Sequence, residues 1–229
     1  MIPISRNLQS VRARIADAAR KYGRDPAGIA LLAASKTWPV ERIAEAARAG
    51  QKIFGENYVG EGVPKIVQLA SAGLEWHFIG PLQSNKTRPV AENFAWAHSI
   101  DRLKIAERLS AQRPEALAPL QVCLQINTSG EATKSGVPPG EALALARLVV
   151  ALPRLVLRGL MSIPEPEGDF SRQRAGFARL RELFDALKQE GIELDTLSMG
   201  MSHDLEAAIA EGSTLVRVGT AIFGEREKK

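Results

Sequence analysis

The chain has 229 residues, of which 45% are hydrophobic, so it can bury one substantial core and fits the size of a compact (β/α)8 barrel. It carries 30 basic and 26 acidic residues, a formal net charge of +4, and the two signs are interspersed along the sequence. Interspersed charge is typical of a solvated surface, so no nucleic-acid partner is expected.

The single cysteine and the start of the chain indicate the compartment. One cysteine cannot form an internal disulfide, and Cys123 lies in the apolar run of residues 120–124, where a buried strand position is expected. The first residues lack the charged and apolar regions of a secretory signal, and no segment has the ~18 uninterrupted apolar residues of a membrane span. We therefore expect a soluble, cytoplasmic protein with no membrane partner.

Hydrophobic periodicity predicts an amphipathic helix before the first strand. The apolar residues at helical spacing are Leu8, Val11, Ile15, Ala18 and Tyr22. Ser5 is the predicted N-terminal cap of this helix. Residues 1–28 are accordingly assigned to a leading helix and its connection.

Short apolar runs then alternate with helical stretches, which is the signature of βαβ units around a parallel sheet. The eight runs of strand length are residues 29–35, 52–55, 76–79, 94–99, 120–126, 155–161, 194–199 and 214–218. One intervening helix is indicated by Val40, Ile43, Ala44 and Ala47, with Gly50 at its end, and another by Phe177, Leu180, Phe184 and Leu187.

Eight strand and helix pairs leave no room for a second domain in a chain of this length. The predicted fold class is α/β, a single (β/α)8 TIM barrel over residues 29–224, with the extra N-terminal helix before it and a charged tail at residues 225–229. An open doubly wound sheet uses the same buried parallel strands, and only the strand count favours the closed barrel.

Lys36 is the strongest candidate for a reactive residue, because the reactive groups of a parallel barrel lie where strands end and loops begin. It directly follows a buried strand and the small residues Ala33 and Ala34. Burial lowers the pKa of a lysine and frees its amine to attack a carbonyl carbon. A lysine that extends from a strand end into solvent is the ordinary alternative.

The loops after the last two predicted strands have the composition of a phosphate site. Ser198-Met199-Gly200-Met201-Ser202 follows the seventh strand and Gly219-Thr220 follows the eighth, each before a short helix. Barrels commonly bind phosphate at these loops, where glycine permits close approach and hydroxyl and N–H groups donate. Turn and capping roles explain any one of these residues equally well.

A lysine that can form an imine and a phosphate-binding site are the two features that binding of pyridoxal 5'-phosphate (PLP) requires at the least. They would also serve a lysine-dependent aldolase that acts on sugar phosphates. Arg217 bears on this choice, because a charged residue between Val216 and Val218 needs a buried partner or an exit to solvent. If it faced inward, it would donate to the pyridine nitrogen and keep that nitrogen unprotonated.

Two other signals are weaker. The segment Gly80-Pro81-Leu82-Gln83-Ser84-Asn85-Lys86-Thr87 matches the motif G-x-x-x-x-G-K-[ST] except that Asn85 replaces the second glycine, so nucleotide hydrolysis is not favoured. His77, His98 and His203 are dispersed along the sequence and do not suggest a metal site.

These residues together resemble the pyridoxal phosphate homeostasis proteins, a family of single-domain PLP-binding proteins related to the N-terminal barrel of alanine racemase. The resemblance runs in order along nearly the whole chain. The motifs that carry it are Ala34-Ser35-Lys36-Thr37, Phe54-Gly55-Glu56-Asn57-Tyr58, Trp76-His77-Phe78-Ile79-Gly80, Leu82-Gln83, Asn85-Lys86, Gly159-Leu160-Met161, Ser198-Met199-Gly200-Met201-Ser202 and Arg217-Val218-Gly219-Thr220-Ala221-Ile222-Phe223-Gly224.

The resemblance implies a covalent aldimine between PLP and Lys36. It also implies the surroundings of the cofactor, which are Ser198, Gly200, Ser202, Gly219 and Thr220 at the phosphate, Arg217 at the pyridine nitrogen, and Asn57 and Met161 along the cofactor. Lys134 matches a family lysine assigned to PLP transfer or secondary binding. Two residues depart from the family pattern: His203 stands where an acidic residue is usual, and Trp38 where a smaller or basic one is common.

The resemblance implies a function without catalytic turnover, in which the protein holds PLP for vitamin B6 homeostasis and PLP-dependent apo-enzymes are candidate recipients. A PLP-dependent amino-acid racemase of low activity is the alternative. Alanine racemase uses a tyrosine from a separate β-domain, which is absent here, and Tyr22 and Tyr58 are the only tyrosines. Because that domain supplies the racemase dimer contact, we expect a monomer.

Overall fold

Strands and helices alternate along the chain in a computed structural model that describes residues 3–129 and 135–225. The strands are β1 (Ala30–Ala34), β2 (Ile53–Glu56), β3 (Glu75–Phe78), β4 (Trp96–Ile100), β5 (Leu120–Gln125), β6 (Leu155–Met161), β7 (Thr196–Ser198) and β8 (Leu215–Val218). Each of the eight predicted apolar runs is therefore a strand, and the predicted bounds differ from the observed ones by two residues at most.

The strands form a closed parallel barrel in the order β1 to β8. The closure is the pairing of β1 with β8, in which Ala30 lies opposite Leu215 and Leu32 lies opposite Arg217. The prediction of a (β/α)8 barrel is confirmed, and the open doubly wound sheet is wrong. Closure brings the C-terminal ends of the first and last strands side by side, so the residues after β1 and β8 share one mouth.

Helices cover the outside of the barrel. Those in the described residues are α1 (Ile4–Lys21), α2 (Val40–Arg48), α3 (Val59–Gln68), α4 (Thr87–Asn93), α5 (Leu103–Gln112), α6 (Ala142–Val150), α7 (Phe170–Gln189), α8 (Leu205–Ala210) and α9 (Thr220–Phe223). The four residues predicted to face the core from α7 are all buried. In α2, Ile43 of the predicted face is buried together with Ala46, while Val40, Ala44 and Ala47 are half-buried.

The leading helix α1 packs against the outside of the barrel and reaches the loops after β7 and β8. Asn7 donates to the carbonyl oxygen of Ile222 at 2.8 Å, and Arg14 donates to that of Ser202 at 3.0 Å. The prediction of a Ser5 cap was wrong, because Pro3 precedes the helix and Ser5 is an exposed residue of its first turn. The fixed φ of a proline suits a helix start without a side-chain cap.

Two faces of the sheet form separate packed layers. Ala33 belongs to the large core between barrel and helices, whereas Leu32 and Ala34 pack with Ile79 inside the barrel, as alternation along a strand requires. Cys123 is fully buried on β5, which confirms its predicted place in a core strand. Within residues 3–129 and 135–225, no helix combines the length and apolarity needed to cross a membrane.

Candidate functional site

Lys36 lies in the turn that follows β1, at the C-terminal mouth of the barrel. The N–H of Ser35 donates to the carbonyl oxygen of Gly55 at 2.9 Å, and the N–H of Trp38 donates to that of Ser35 at 3.1 Å, so the turn is tied to β2 and closed on itself. Thr37 has a φ of +67°, in the left-handed region that β-branched residues rarely adopt. Backbone strain of this kind is concentrated at functional sites.

A buried ion pair behind Lys36 holds this turn in place. The ammonium group of Lys65 on α3 donates to Glu56 Oε1 at 2.9 Å and to the carbonyl oxygen of Ser35 at 3.1 Å. The Ser35 hydroxyl also donates to Glu56, and Glu61 accepts the N–H of Thr37 at 2.9 Å. Burial raises the pKa of Glu56, while the bonds from Lys65 and Ser35 lower it. The strained turn is thus fixed at both ends by side chains.

Arg217 lies beside this turn but deeper in the barrel. Its Nη1 donates to the carbonyl oxygen and to the hydroxyl of Ser198, each at 2.6 Å, and its Nη2 donates to the carbonyl oxygen of Ser162 at 2.8 Å. Nε and the second N–H of Nη2 donate to no acceptor in the described part of the chain. Burial lowers the pKa of Arg217 to about 10, which leaves the guanidinium charged at neutral pH. Arg217 is therefore a buried cation with two N–H groups that can donate to a ligand.

The loops after β7 and β8 lie together above this arginine. The N–H of Ala221 donates to the Ser202 hydroxyl at 3.4 Å, which joins the two loops. Gly200 has a φ of +95°, and a Cβ there would lie 2.5 Å from Ala208 Cβ, so the turn after β7 requires glycine. Thr220 is exposed and Gly219 half-buried, so both are open to a ligand at the mouth.

Ser198 does not lie where the phosphate was expected. Its side chain is fully buried inside the barrel, where the hydroxyl is bonded to His98 Nδ1 at 2.8 Å and to Arg217. A strand residue whose side chain points inward cannot at the same time face the loop above it. The structure therefore groups Ser202, Gly200, Gly219 and Thr220 at the mouth and separates the hydroxyl of Ser198 from them.

Asn57 directly follows β2, and Met161 is the last residue of β6, so both lie toward the same mouth. Met161 is fully buried against Trp96 and Cys123. The backbone of Asn57 packs directly against Gly80. A Cβ at residue 80 would lie 2.1 Å from the carbonyl oxygen of Asn57, so this close approach requires glycine. Asn57 Oδ1 and Ser162 Oγ are buried without a hydrogen-bond partner. Buried polar atoms of this kind need an explanation, and a bound ligand supplies one.

His77 and His98 are far apart in sequence, but they are neighbours inside the barrel. His77 Nδ1 lies 2.8 Å from His98 Nε2, and His77 Nε2 lies 2.8 Å from Glu75 Oε1. The three histidines are dispersed along the sequence, but in the folded chain His77 and His98 are in contact. Within the described residues no group of three or more His, Cys, Asp or Glu side chains is arranged to hold a metal ion.

Sequence reasoning also missed Glu56 and Lys65, although Glu56 belongs to a quoted motif. A signal was available, since an acidic residue at the end of a buried strand requires a buried partner.

The near-match to a nucleotide loop proves to be a rim segment after β3, in which the hydroxyl of Thr87 donates to the carbonyl oxygen of Ser84 at 3.0 Å. Lys134 lies outside the described residues.

The arrangement defines a class of protein: a closed parallel barrel with a lysine after its first strand, a buried arginine on its last strand and glycine-containing loops after strands seven and eight. The chain belongs to the family described as alanine racemase, N-terminal domain, whose model matches residues 6–227. It is 59% identical over 227 residues to the pyridoxal phosphate homeostasis protein of Pseudomonas aeruginosa, covering 99% of this chain and 97% of the relative.

Other relatives agree with this placement. The pyridoxal phosphate homeostasis protein of Escherichia coli K12 is 56% identical over 230 residues, with 99% of this chain and 98% of the relative covered. PipY of Synechococcus elongatus, solved with PLP bound, is 37% identical and superposes with a TM-score of 0.85 over 96% of this chain and all of that one. Alanine racemase of Corynebacterium glutamicum, 18% identical with a TM-score of 0.67, shares the fold, and this chain covers 62% of it.

Proposed function

We propose that this chain binds PLP at the C-terminal mouth of the barrel through an imine to Lys36, and that it serves PLP homeostasis without dedicated catalytic turnover. One observation carries the proposal, namely the pairing of β1 with β8. Leu32 on β1 lies opposite Arg217, and Lys36 follows Leu32 by four residues, so it lies in the turn at the mouth on the strand connection beside the guanidinium. A primary amine above a buried cation matches a cofactor with an aldehyde and a ring nitrogen.

The groups at the mouth fit PLP in chemical type. Arg217 has two N–H groups to spare for a ring nitrogen, and Ser202, Gly219 and Thr220 offer the hydroxyl and backbone donors that a phosphate requires. Asn57 Oδ1, buried and unpartnered, lies on the strand end that flanks Lys36. When bound, PLP supplies an electron sink, and a charged arginine at its ring nitrogen weakens that sink because the nitrogen stays unprotonated.

The positions of the two tyrosines favour holding PLP over amino-acid racemisation. Tyr22 is at the end of α1, where its hydroxyl donates to Glu206 at 3.2 Å on the outside of the barrel. Tyr58 is 54% exposed. Neither has the buried, oriented position that a proton-transfer group needs opposite a lysine. The relatives named above are homeostasis proteins, which is consistent with this role.

The proposal extends to partners and compartment. A site open at one barrel mouth allows PLP to enter and leave, so PLP-dependent apo-enzymes are the proposed recipients. We also propose that the protein acts as a monomer in the cytoplasm, where such enzymes and their cofactor meet.

The test is an absorption spectrum of the purified protein with and without added PLP, followed by borohydride reduction and peptide mass mapping. Wild type is expected to show a visible imine band and a phosphopyridoxyl group on Lys36, and Lys36→Ala is expected to show neither. Lys104→Ala, which removes an exposed lysine of α5, is the matched control and should behave as wild type. A wild-type protein that cannot be loaded with PLP would contradict the proposal.

The racemase alternative has its own measurement. Loaded protein is incubated with L-alanine and other amino acids in deuterium oxide, and deuterium at the α-carbon is followed by NMR. A holding function predicts exchange no faster than with free PLP. Lys36-dependent exchange that is faster than this, with formation of the D-amino acid, would establish a racemase.

A further inference from the structure

A continuous chain of hydrogen-bonded side chains crosses the inside of the barrel. It begins at Glu75, the first residue of β3, and passes through His77, His98 and Ser198 to Arg217 near the end of β8. Three of its links, from Glu75 to Ser198, measure 2.8 Å, and the link from Arg217 measures 2.6 Å. We call these five residues the interior relay. It joins the N-terminal mouth to the buried arginine at the proposed cofactor end.

The two ends of the interior relay fix its direction. A guanidinium can only donate, so Arg217 donates to the Ser198 hydroxyl, whose single proton must then go to His98 Nδ1. His98 therefore carries its proton on Nε2 and donates to His77 Nδ1, and His77 donates from Nε2 to Glu75. An ionised carboxylate can only accept, so Glu75 completes the chain. Each ring nitrogen of the two histidines then has one partner, and both histidines are neutral.

The surroundings support this protonation pattern. His77 and His98 are 1% and 0% exposed, and burial lowers the pKa of both, that of His98 strongly. The hydrogen bond with His77 lowers the pKa of Glu75, which keeps this carboxylate ionised. The other ionisable groups that act on these residues are Arg158, Asp204 and Cys123. None of the three makes a hydrogen bond to a member of the relay within the described part of the chain.

The outer end of the interior relay is open to solvent. The Glu75 side chain is 47% exposed and lines a depression of about 360 Å³ at the N-terminal mouth, together with Trp96, Arg158 and Asp195. At the inner end, Arg217 donates to the carbonyl oxygen and hydroxyl of Ser198 and to the carbonyl oxygen of Ser162, which leaves two of its N–H groups to face a ligand. The relay therefore connects a solvent-exposed carboxylate at one mouth to the buried arginine near the other.

We propose that Glu75, His77 and His98 are positioning residues that act through Ser198 to orient the Arg217 guanidinium toward the ring nitrogen of the bound cofactor. The proposal rests on the PLP binding proposed above and adds to it a dependence on residues that cannot touch the cofactor. Without the carboxylate, the histidines can reverse their tautomers, and the Ser198 hydroxyl then receives two donors. The bond from Arg217 to this hydroxyl would weaken, while its bonds to the carbonyl oxygens of Ser198 and Ser162 remain.

The experiment loads PLP labelled with 15N in its ring into wild type, Glu75→Gln and Ser198→Ala, and records the nitrogen chemical shift and the rate of PLP release. Both variants should move the nitrogen signal, and release should be about three- to tenfold faster, as expected when one hydrogen bond to a charged group is weakened. Ser198→Thr keeps the hydroxyl and should restore the wild-type signal. Asp195→Asn removes a charge from the same depression outside the relay and should leave signal and release unchanged.

The outcomes separate this proposal from the binding proposal. A wild-type nitrogen signal and release rate in Glu75→Gln and Ser198→Ala, with PLP still mapped to Lys36, would overturn the interior relay and leave PLP binding intact. Failure of wild type to load PLP would overturn the binding proposal instead. If the variants lose only thermal stability, the relay is a packing feature, and the positioning role is wrong.

Discussion

Lys65 donates through its ammonium group to the carbonyl oxygen of Ser35, the residue directly before Lys36, at 3.1 Å. The same ammonium group lies 2.9 Å from a carboxylate oxygen of Glu56, which is fully buried. One lysine thus fixes the backbone from which another projects. Because the pair is buried, removing Lys65 leaves the carboxylate of Glu56 without its opposite charge.

Lys65→Met is expected to lower the free energy of unfolding by about 3–5 kcal/mol, the usual cost of leaving one partner of a buried ion pair alone. The loss should appear as a lower urea midpoint, and PLP should load more slowly because the turn at Lys36 is no longer held. The control is Lys104→Met on the exposed face of α5. The double variant Glu56→Leu with Lys65→Met should regain most of the stability. Equal midpoints for wild type and Lys65→Met would contradict this account.

Thr37→Gly is expected to change the stability of the protein and its loading with PLP in opposite directions. Removing the side chain relieves a left-handed conformation that costs about 1–2 kcal/mol, while glycine adds about 0.5–1 kcal/mol of unfolded-state entropy, so a small net gain is expected. Loading of PLP should nevertheless slow, since the turn has more freedom. Arg154→Gly alters the other described non-glycine residue with positive φ and should leave loading unchanged. Faster loading by Thr37→Gly would show that the strain does not order Lys36.

Gly80→Ala tests the close approach of β3's loop to Asn57. A Cβ would lie 2.1 Å from the carbonyl oxygen and 2.6 Å from Cα of Asn57, so the backbone itself must move. We expect a loss of about 1–3 kcal/mol in thermal or urea unfolding and weaker PLP binding. Gly60→Ala, where a Cβ meets open space in α3, is the matched control and should gain about 0.5–1 kcal/mol. A Gly80→Ala protein as stable as wild type would show that this contact yields easily.

Much of the fold followed from local patterns. Apolar runs bounded by polar turns predict buried strands, and all eight were found because parallel strands covered by helices are apolar on both faces. Lys36 and the loops after β7 and β8 were found because the mouth of a barrel is defined by strand ends. The prediction that the sheet is closed depended on the strand count alone, because a single sequence does not show whether the first and last strands pair.

The interior contacts were beyond such reasoning. Glu56 and Lys65 are nine residues apart and meet because α3 folds back over β2, and His77 and His98 meet because β3 and β4 are neighbours. Side chains that point into a barrel alternate with outward ones, so a register shift of one residue would separate them. Ser198 shows the same limit: its motif placed it near the phosphate, whereas its strand position turned it inward.

The two buried histidines predict acid sensitivity with a definite sign. Burial lowers the pKa of His77 and of His98 below the ordinary value of 6.5, so both stay neutral in the folded protein while the unfolded chain takes up protons as the pH falls through about 6.5. The unfolded state then binds more protons than the folded state, so stability is complete above that pH and is lost below it. Each histidine contributes a slope approaching about 1.4 kcal/mol per pH unit.

The measurement is the free energy of unfolding of PLP-free protein in urea between pH 5 and 7, a window above the titration of ordinary carboxylates (roughly pH 4). Stability should fall steadily from about pH 6.5 downward. The double variant His77→Phe with His98→Leu removes both titrating groups and should flatten the profile, although overall stability falls because the buried Ser198 hydroxyl loses its acceptor. A wild-type slope that survives this double change would assign the acid sensitivity to other groups.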